Sequence, residues 1–159
     1  MAEWMKKAEQ GNASAQSYVG LSYELGQGVP HDYVLAARWY RAAAEQEHAT
    51  AQFNLGRLYE SGRGVPYDEV EAARWYQVAA EQGHPLAQFN LGVMYDYGRG
   101  VPQDSIQAYM WYDLAAPDLT GDNRETAAEN RDLLVGRMTS EQIAEAQRLV
   151  REWKPKSGG

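Results

Sequence analysis

One segment of 36 residues runs through this chain three times in succession, opening at Ala8, Ala44 and Ala80 with no gap between copies (44 − 8 = 36 and 80 − 44 = 36). A period of this length constrains the fold more than any local motif. Each copy has to form one supersecondary unit and bury its apolar face against its neighbours. In the second copy, Ala51, Leu55, Leu58 and Tyr59 fall at the spacing of a single helical face. Ala72, Trp75, Tyr76 and Ala79 mark a second helix in the same way.

Between the two helices stands Gly-x-Gly-Val-Pro-x-Asp, present as LGQGVPHD, SGRGVPYD and YGRGVPQD. Its glycines suggest a phosphate loop, but a dinucleotide loop needs a third glycine after a strand, and a P-loop needs Gly-Lys-Ser/Thr. The residues instead suit a helix–helix corner. Gly62 ends the first helix in the left-handed conformation that a Cβ disfavours. Gly64 keeps the bend tight, Pro66 stops the first helix, and Asp68 caps the second. Gly20, Gly56 and Gly92 lie inside the first helices, where glycine costs about 1 kcal/mol relative to alanine. A large ring from the adjacent helix is therefore expected against each, with Trp39, Trp75 and Trp111 as the candidates. This makes the Trp/Tyr stripe core rather than a cofactor cage.

Composition limits the chemistry. The net charge of −7 argues against a nucleic-acid partner. There is no cysteine, hence no disulfide, thiolate metal site or cysteine nucleophile. No apolar run reaches the roughly 20 residues of a membrane span, and MAEWMKKAEQ lacks a secretory leader. The chain as given reads as cytoplasmic, or as periplasmic if a leader was removed. His31, His48 and His84 do not converge in sequence on a metal motif, and no cofactor is expected.

The strings Ala-Glu-Gln-Gly-His, Ala-Gln-Phe-Asn-Leu-Gly, Gly-Arg-Gly-Val-Pro and Trp-Tyr at this spacing resemble the Sel-one-like repeat family, relatives of the tetratricopeptide repeat. The resemblance implies an all-α, right-handed solenoid superhelix of antiparallel helix pairs, acting in protein–protein interaction and often as a scaffold. Cysteine-rich members are associated with penicillin binding and β-lactamase activity. This chain has neither their cysteines nor a Ser-x-x-Lys, so that hydrolase activity is not carried over. A structural spacer without a specific ligand, an engineered consensus-like repeat, and a hydrolase with an unrecognised site are the alternatives to an interaction scaffold.

The expected organisation is one solenoid domain. A partial helix covers 1–10, repeats cover 8–43, 44–79 and 80–115, a degenerate capping helix pair covers 116–153, and a flexible tail covers 154–159. Helices are expected from about Asp122 to Met138 and again after Thr139, which forms a capping box with Gln142. At the other end, Trp4 aligns with Tyr40 but has no first helix beside it. That leaves two readings open, a fragment of a longer array or a surface for self-association. By analogy with tetratricopeptide relatives, the first helices line a concave groove for a peptide, loop or helix of another protein. Position by position, this places Tyr18, Leu21 and Glu24 on the groove, then Asn54, Arg57 and Glu60, then Asn90, Val93, Asp96 and Tyr97.

Overall fold

The computed structural model describes residues 1–156. The first helices are α2 (Ala13–Leu25), α4 (Ala49–Ser61) and α6 (Pro85–Tyr97), and the second helices are α3 (Tyr33–Ala44), α5 (Glu69–Glu81) and α7 (Ser105–Ala115). A short α1 (Ala2–Glu9) precedes them, and a 3-10 turn (Ala116–Asp118), α8 (Gly121–Val135) and α9 (Ser140–Glu152) follow. The described residues contain no strand. Each first helix pairs with the second helix of its own unit, and each second helix packs on the first helix of the next. The chain is an all-α solenoid.

The same signals set the helix ends in every unit. Asp32, Asp68 and Asp104 accept the backbone N–H three residues on, at 3.0, 3.0 and 3.1 Å. Asn12, His48 and His84 cap the first helices in the equivalent way, at 2.8, 3.2 and 3.2 Å. Gly26, Gly62 and Gly98 close those helices at φ of 66°, 65° and 66°. The second corner glycine does more than keep a bend tight. A Cβ on Gly64 would lie 2.1 Å from the Tyr33 carbonyl oxygen, and one on Gly100 would lie 2.2 Å from that of Glu69. Each of these corners therefore seats backbone to backbone on the second helix of the preceding unit.

The glycine inside each first helix does admit a ring, but the ring belongs to tyrosine and not to the expected tryptophan. A Cβ on Gly20, Gly56 or Gly92 would meet Tyr40, Tyr76 or Tyr112 at 2.7, 2.7 and 2.9 Å. Trp75, one position earlier on its helix, packs against the cluster that α3 and α4 build around Ala36, Leu55 and Leu58. Successive helix residues point about 100° apart, so the tyrosine faces its own unit while the tryptophan faces the previous one.

Buried glutamines join the units. The side-chain amides of Gln16, Gln52 and Gln88 donate to the carbonyls of Ala8, Ala44 and Ala80 at 3.1, 3.1 and 3.2 Å. Gln46 and Gln82 in turn donate to the amide oxygens of Gln16 and Gln52 at 2.7 and 2.8 Å. One period further on the donor position holds Asp118, and the buried Gln88 oxygen has no partner. The seam itself continues in altered form, with Arg124 Nε donating to the Ala116 carbonyl at 3.1 Å in place of the glutamine.

The fourth unit is in register but does not close as a pair. α9 begins at the expected capping box, with bonds of 3.1 and 2.9 Å between Thr139 and Gln142. It then packs on α7 rather than on α8. Leu149, Val150 and Trp153 join the core around Trp111 and Met110. The tail expected to be free from residue 154 is held as far as Lys156. The Lys156 backbone N–H donates to the Glu81 carbonyl at 2.7 Å, and its ammonium reaches the Glu81 carboxylate at 2.8 Å. Residues 157–159 lie outside the described residues.

Candidate functional site

The residues singled out on the first helices fall into two kinds, those used by the fold and those left to solvent. The three acidic residues are used by the fold. Tyr40, Tyr76 and Tyr112 donate their hydroxyls to Glu24, Glu60 and Asp96 at 2.6, 2.5 and 3.1 Å. Burial, followed by these carboxylates, pushes each phenol well above the ordinary tyrosine range, which keeps the hydroxyl a donor. Asp96 is only 7% exposed. Arg57 has a carboxylate partner within the chain, because its Nη2 meets Glu24 one unit back at 2.8 Å. The same nitrogen lies 3.5 Å from the Asn54 side-chain oxygen.

The others remain accessible in different degrees. Val93 is half-buried and packs with Tyr109 and Tyr112. Tyr18 lies against Trp4 with ring centres 4.7 Å apart, and Leu21 and Leu25 beside it on α2 are exposed. Tyr97 is 69% exposed. Asn90 lines an open cavity of about 380 Å³ between α4 and α6, together with Arg57, Glu60, Tyr76, Arg63 and Arg99.

The two corner arginines were not among the expected site residues. Their signal is in the sequence: the corner of the first copy has Gln27 where the other two have Arg63 and Arg99. Arg99 Nε reaches back 30 positions to Glu69 at 3.0 Å, and its Nη2 lies 3.6 Å from Glu60. Arg63 reaches back equally far to Tyr33, whose hydroxyl accepts at 3.2 Å and whose ring lies 5.4 Å below the guanidinium. The structure therefore brings Arg57, Glu60 and Asn90 together around one cavity and leaves Tyr18 and Leu21 at the N-terminal end of the stack.

His48 and His84 serve as helix caps. In each, Nδ1 accepts a backbone N–H, so the neutral ring carries its proton on Nε2. Burial lowers the pKa of both from the ordinary histidine value. Among the described residues, no group of three His, Cys, Asp or Glu side chains is placed to hold a metal, and no helix is long and apolar enough to cross a membrane.

A stack of helix–corner–helix units defines the class, an α-solenoid. The Sel1 repeat profile matches residues 13–48, 49–84 and 85–116, and the chain belongs to the Sel1 repeat family, whose members are typically protein-interaction scaffolds. Among solved structures, a protective antigen present in uropathogenic Escherichia coli strains, displaying an SLR fold, is 39% identical with a TM-score of 0.82. That match covers 94% of this chain and 31% of the antigen, so the chain spans about a third of that protein. A Sel1 repeat protein from Oxalobacter formigenes is 36% identical with a TM-score of 0.72, over 80% of this chain and 96% of that one. No curated protein is matched.

Proposed function

We propose that this chain is a non-catalytic scaffold whose first helices form a concave groove for an extended segment of another protein. The observation that carries the reading is a contrast between positions. Residues that build the seams recur from copy to copy: the glycine under the ring, the capping aspartate and the buried glutamine. On the first-helix face the copies differ, with Tyr18, Asn54 and Asn90 at one position and Leu21, Arg57 and Val93 at another. Beside seams that recur, a change of residue class at accessible positions, such as Tyr18 against Asn54 and Asn90, is what a face that reads a partner requires. An amide such as Asn90 can both donate to and accept from a peptide backbone. Helices about 8–10 Å apart give room for a segment advancing about 3.3 Å per residue.

The test is selection of peptides from a displayed random library on the whole chain, followed by NMR mapping of the amides they perturb. Shifts at Asn54, Asn90 and Tyr97 are expected. Shifts confined to Val34, Val70 and Val78, which lie exposed on second helices, would place the interface on the opposite side and sink the concave reading.

The exposed Trp4, Tyr18, Leu21 and Leu25 favour a second reading, self-association through the N-terminal end. Sedimentation velocity over increasing concentration tests it. A monomer throughout, with no change on Trp4→Glu, would remove it.

A further inference from the structure

The segment that follows α9 fills a seat of which the chain holds a second, open copy. At Trp153 the backbone turns extended, with φ −66° and ψ 137°, and the chain lies against α5 and α7. The Trp153 ring meets that of Trp111 edge-on, with centres 6.4 Å apart. A Cβ on Gly83 would come within 3.6 Å of the Trp153 ring and 3.8 Å of Pro155. The Lys156 N–H donates to the Glu81 carbonyl at 2.7 Å, and its ammonium meets the Glu81 carboxylate at 2.8 Å. The seat is thus made of three residues. They are the glutamate that ends one second helix, the glycine two positions on, and the tryptophan of the next second helix.

Two periods earlier the same three residues stand together as Glu9, Gly11 and Trp39, and Ala-Glu-Gln-Gly occupies 8–11 as it occupies 80–83. Gly11 has φ 92° where Gly83 has 94°. The Gln16 amide donates to the Ala8 carbonyl as Gln88 does to that of Ala80, so the register is kept. Trp39 packs on Ala8, Ala15 and Val19 at the corresponding seam. Only the cover differs. A Cβ on Gly11 would meet nothing within 4 Å. The Glu9 carboxylate has no partner among the described residues. Trp39 is half-buried where Trp111 is 2% exposed. The intermediate copy is altered, because Glu47 takes the place of the glycine at φ 63°.

The rims of the two seats are not alike. Arg38 and Lys6 stand where the filled seat has Met110 and Val78. Met110 belongs to the core that Leu149 and Val150 of α9 join, so a helix like α9 would bring apolar side chains onto Arg38. The occupant that suits the open seat is the extended part alone.

We propose that Glu9, Gly11 and Trp39 seat an extended segment of a partner protein in which an aromatic residue stands three positions before a lysine, as Trp153 stands before Lys156. This interface is separate from the face of the first helices and independent of the concave reading. The aromatic ring lies edge-on to Trp39 and over Gly11, and the lysine N–H and ammonium take the Glu9 carbonyl and carboxylate. The ring supplies most of the hold, since an exposed ion pair contributes little and Lys6 and Arg38 stand nearby.

The experiment is an NMR titration of the whole chain with the end-blocked peptide Ac-Glu-Trp-Lys-Pro-Lys-NH2, read at the backbone amides and the five indole N–H signals. The Gly11 amide and the Trp39 indole are expected to shift. A peptide with alanine for tryptophan should bind roughly tenfold more weakly, and one with glutamine for the last lysine about threefold more weakly. Glu9→Gln should weaken binding of the parent peptide by a similar, roughly threefold factor. It should not lower the melting temperature, since Glu9 is exposed and unpaired. No shift at millimolar peptide, or equal binding of the alanine or glutamine peptide, overturns the proposal. Shifts confined to Trp75 overturn it as well, and shifts confined to Trp111 and Trp153 would show exchange with the resident segment instead. Shifts at Asn54, Asn90 and Tyr97 without Trp39 would assign the peptide to the concave face, so that this inference fails while that reading stands.

Discussion

Gly56 and Tyr76 show how closely one residue can depend on another. The ring lies where a Cβ on Gly56 would come within 2.7 Å of it, and the adjacent backbone carbonyl of Ala72 lies 3.3 Å from the same point. Alanine has the better helix propensity by about 1 kcal/mol, but here the added methyl forces the two helices apart. Overpacking of this kind costs about 1–3 kcal/mol, so Gly56→Ala is expected to destabilise despite its propensity, as urea unfolding will read. The capping histidines carry a pH dependence. Folding favours the neutral rings, because each accepts a backbone N–H and each pKa is lowered by burial from the value of 6.5. Their stabilisation is complete above that unfolded value and is lost as pH falls through the lower folded ones. The first unit supplies the control, since Asn12 caps at the same position with an oxygen that does not titrate in this range. The double variant His48→Asn/His84→Asn is expected to keep its melting temperature between pH 7.5 and 5, where the parent loses some. An equal loss in both would assign the effect to other groups.

At the scale of elements, the corners separate two uses of glycine that look alike in the sequence. Gly62 needs chiefly its left-handed backbone, with Tyr67 Cβ 3.1 Å from the added atom and able to relieve it by a small shift. Gly64 also needs empty space, because backbone of α3 lies 2.1 Å away. Thermal melting should therefore rank Gly64→Ala well below Gly62→Ala, which is expected to lose about 1–2 kcal/mol for the left-handed residue. The corner itself, its capping aspartates and the two helical faces were legible in the sequence because they depend on neighbours a few residues apart. The identity of the ring over each glycine was not. Periodicity gives the face of a helix, and Trp75 and Tyr76 lie on adjoining faces that serve different neighbours. The course of α9 was hidden for a similar reason, since chain order alone pairs it with α8. A trace of its packing exists in α7, where Met110 and Leu114 stand at the positions of Arg74 and Val78. Of the candidate site, the face was legible and the cavity was not, because its lining is set by contacts between units about 30 positions apart, such as Arg99 with Glu69 and Arg57 with Glu24.

Across the whole molecule, cohesion comes from seams between neighbouring units, and the glutamine ladder lets one seam be compared with the next. Gln52 satisfies both ends of its amide, while Gln88 satisfies only its donor end. Both are 1% exposed, so truncation removes similar packing at the two sites. Gln52→Ala is therefore expected to cost more than Gln88→Ala by about one net hydrogen bond, 0.5–1.5 kcal/mol, in paired denaturation curves. Equal losses would mean that Gln82 finds another partner.

The backbone-to-backbone seating of the second and third corners also makes residues 49–84 an interchangeable cassette. A second copy spliced in after His84 would meet a familiar host at every joint. Its Gly64 would rest on the Glu69 carbonyl, as Gly100 now does. Its Gln52 would reach the Ala80 carbonyl, and its Arg57 would find Glu60 where the original finds Glu24. Such a lengthened chain is expected to gain one unit of helix by circular dichroism and to melt at a higher temperature, as linear arrays of coupled units do. The molecule is in this sense built like masonry, with a length that is a choice of how many courses to lay.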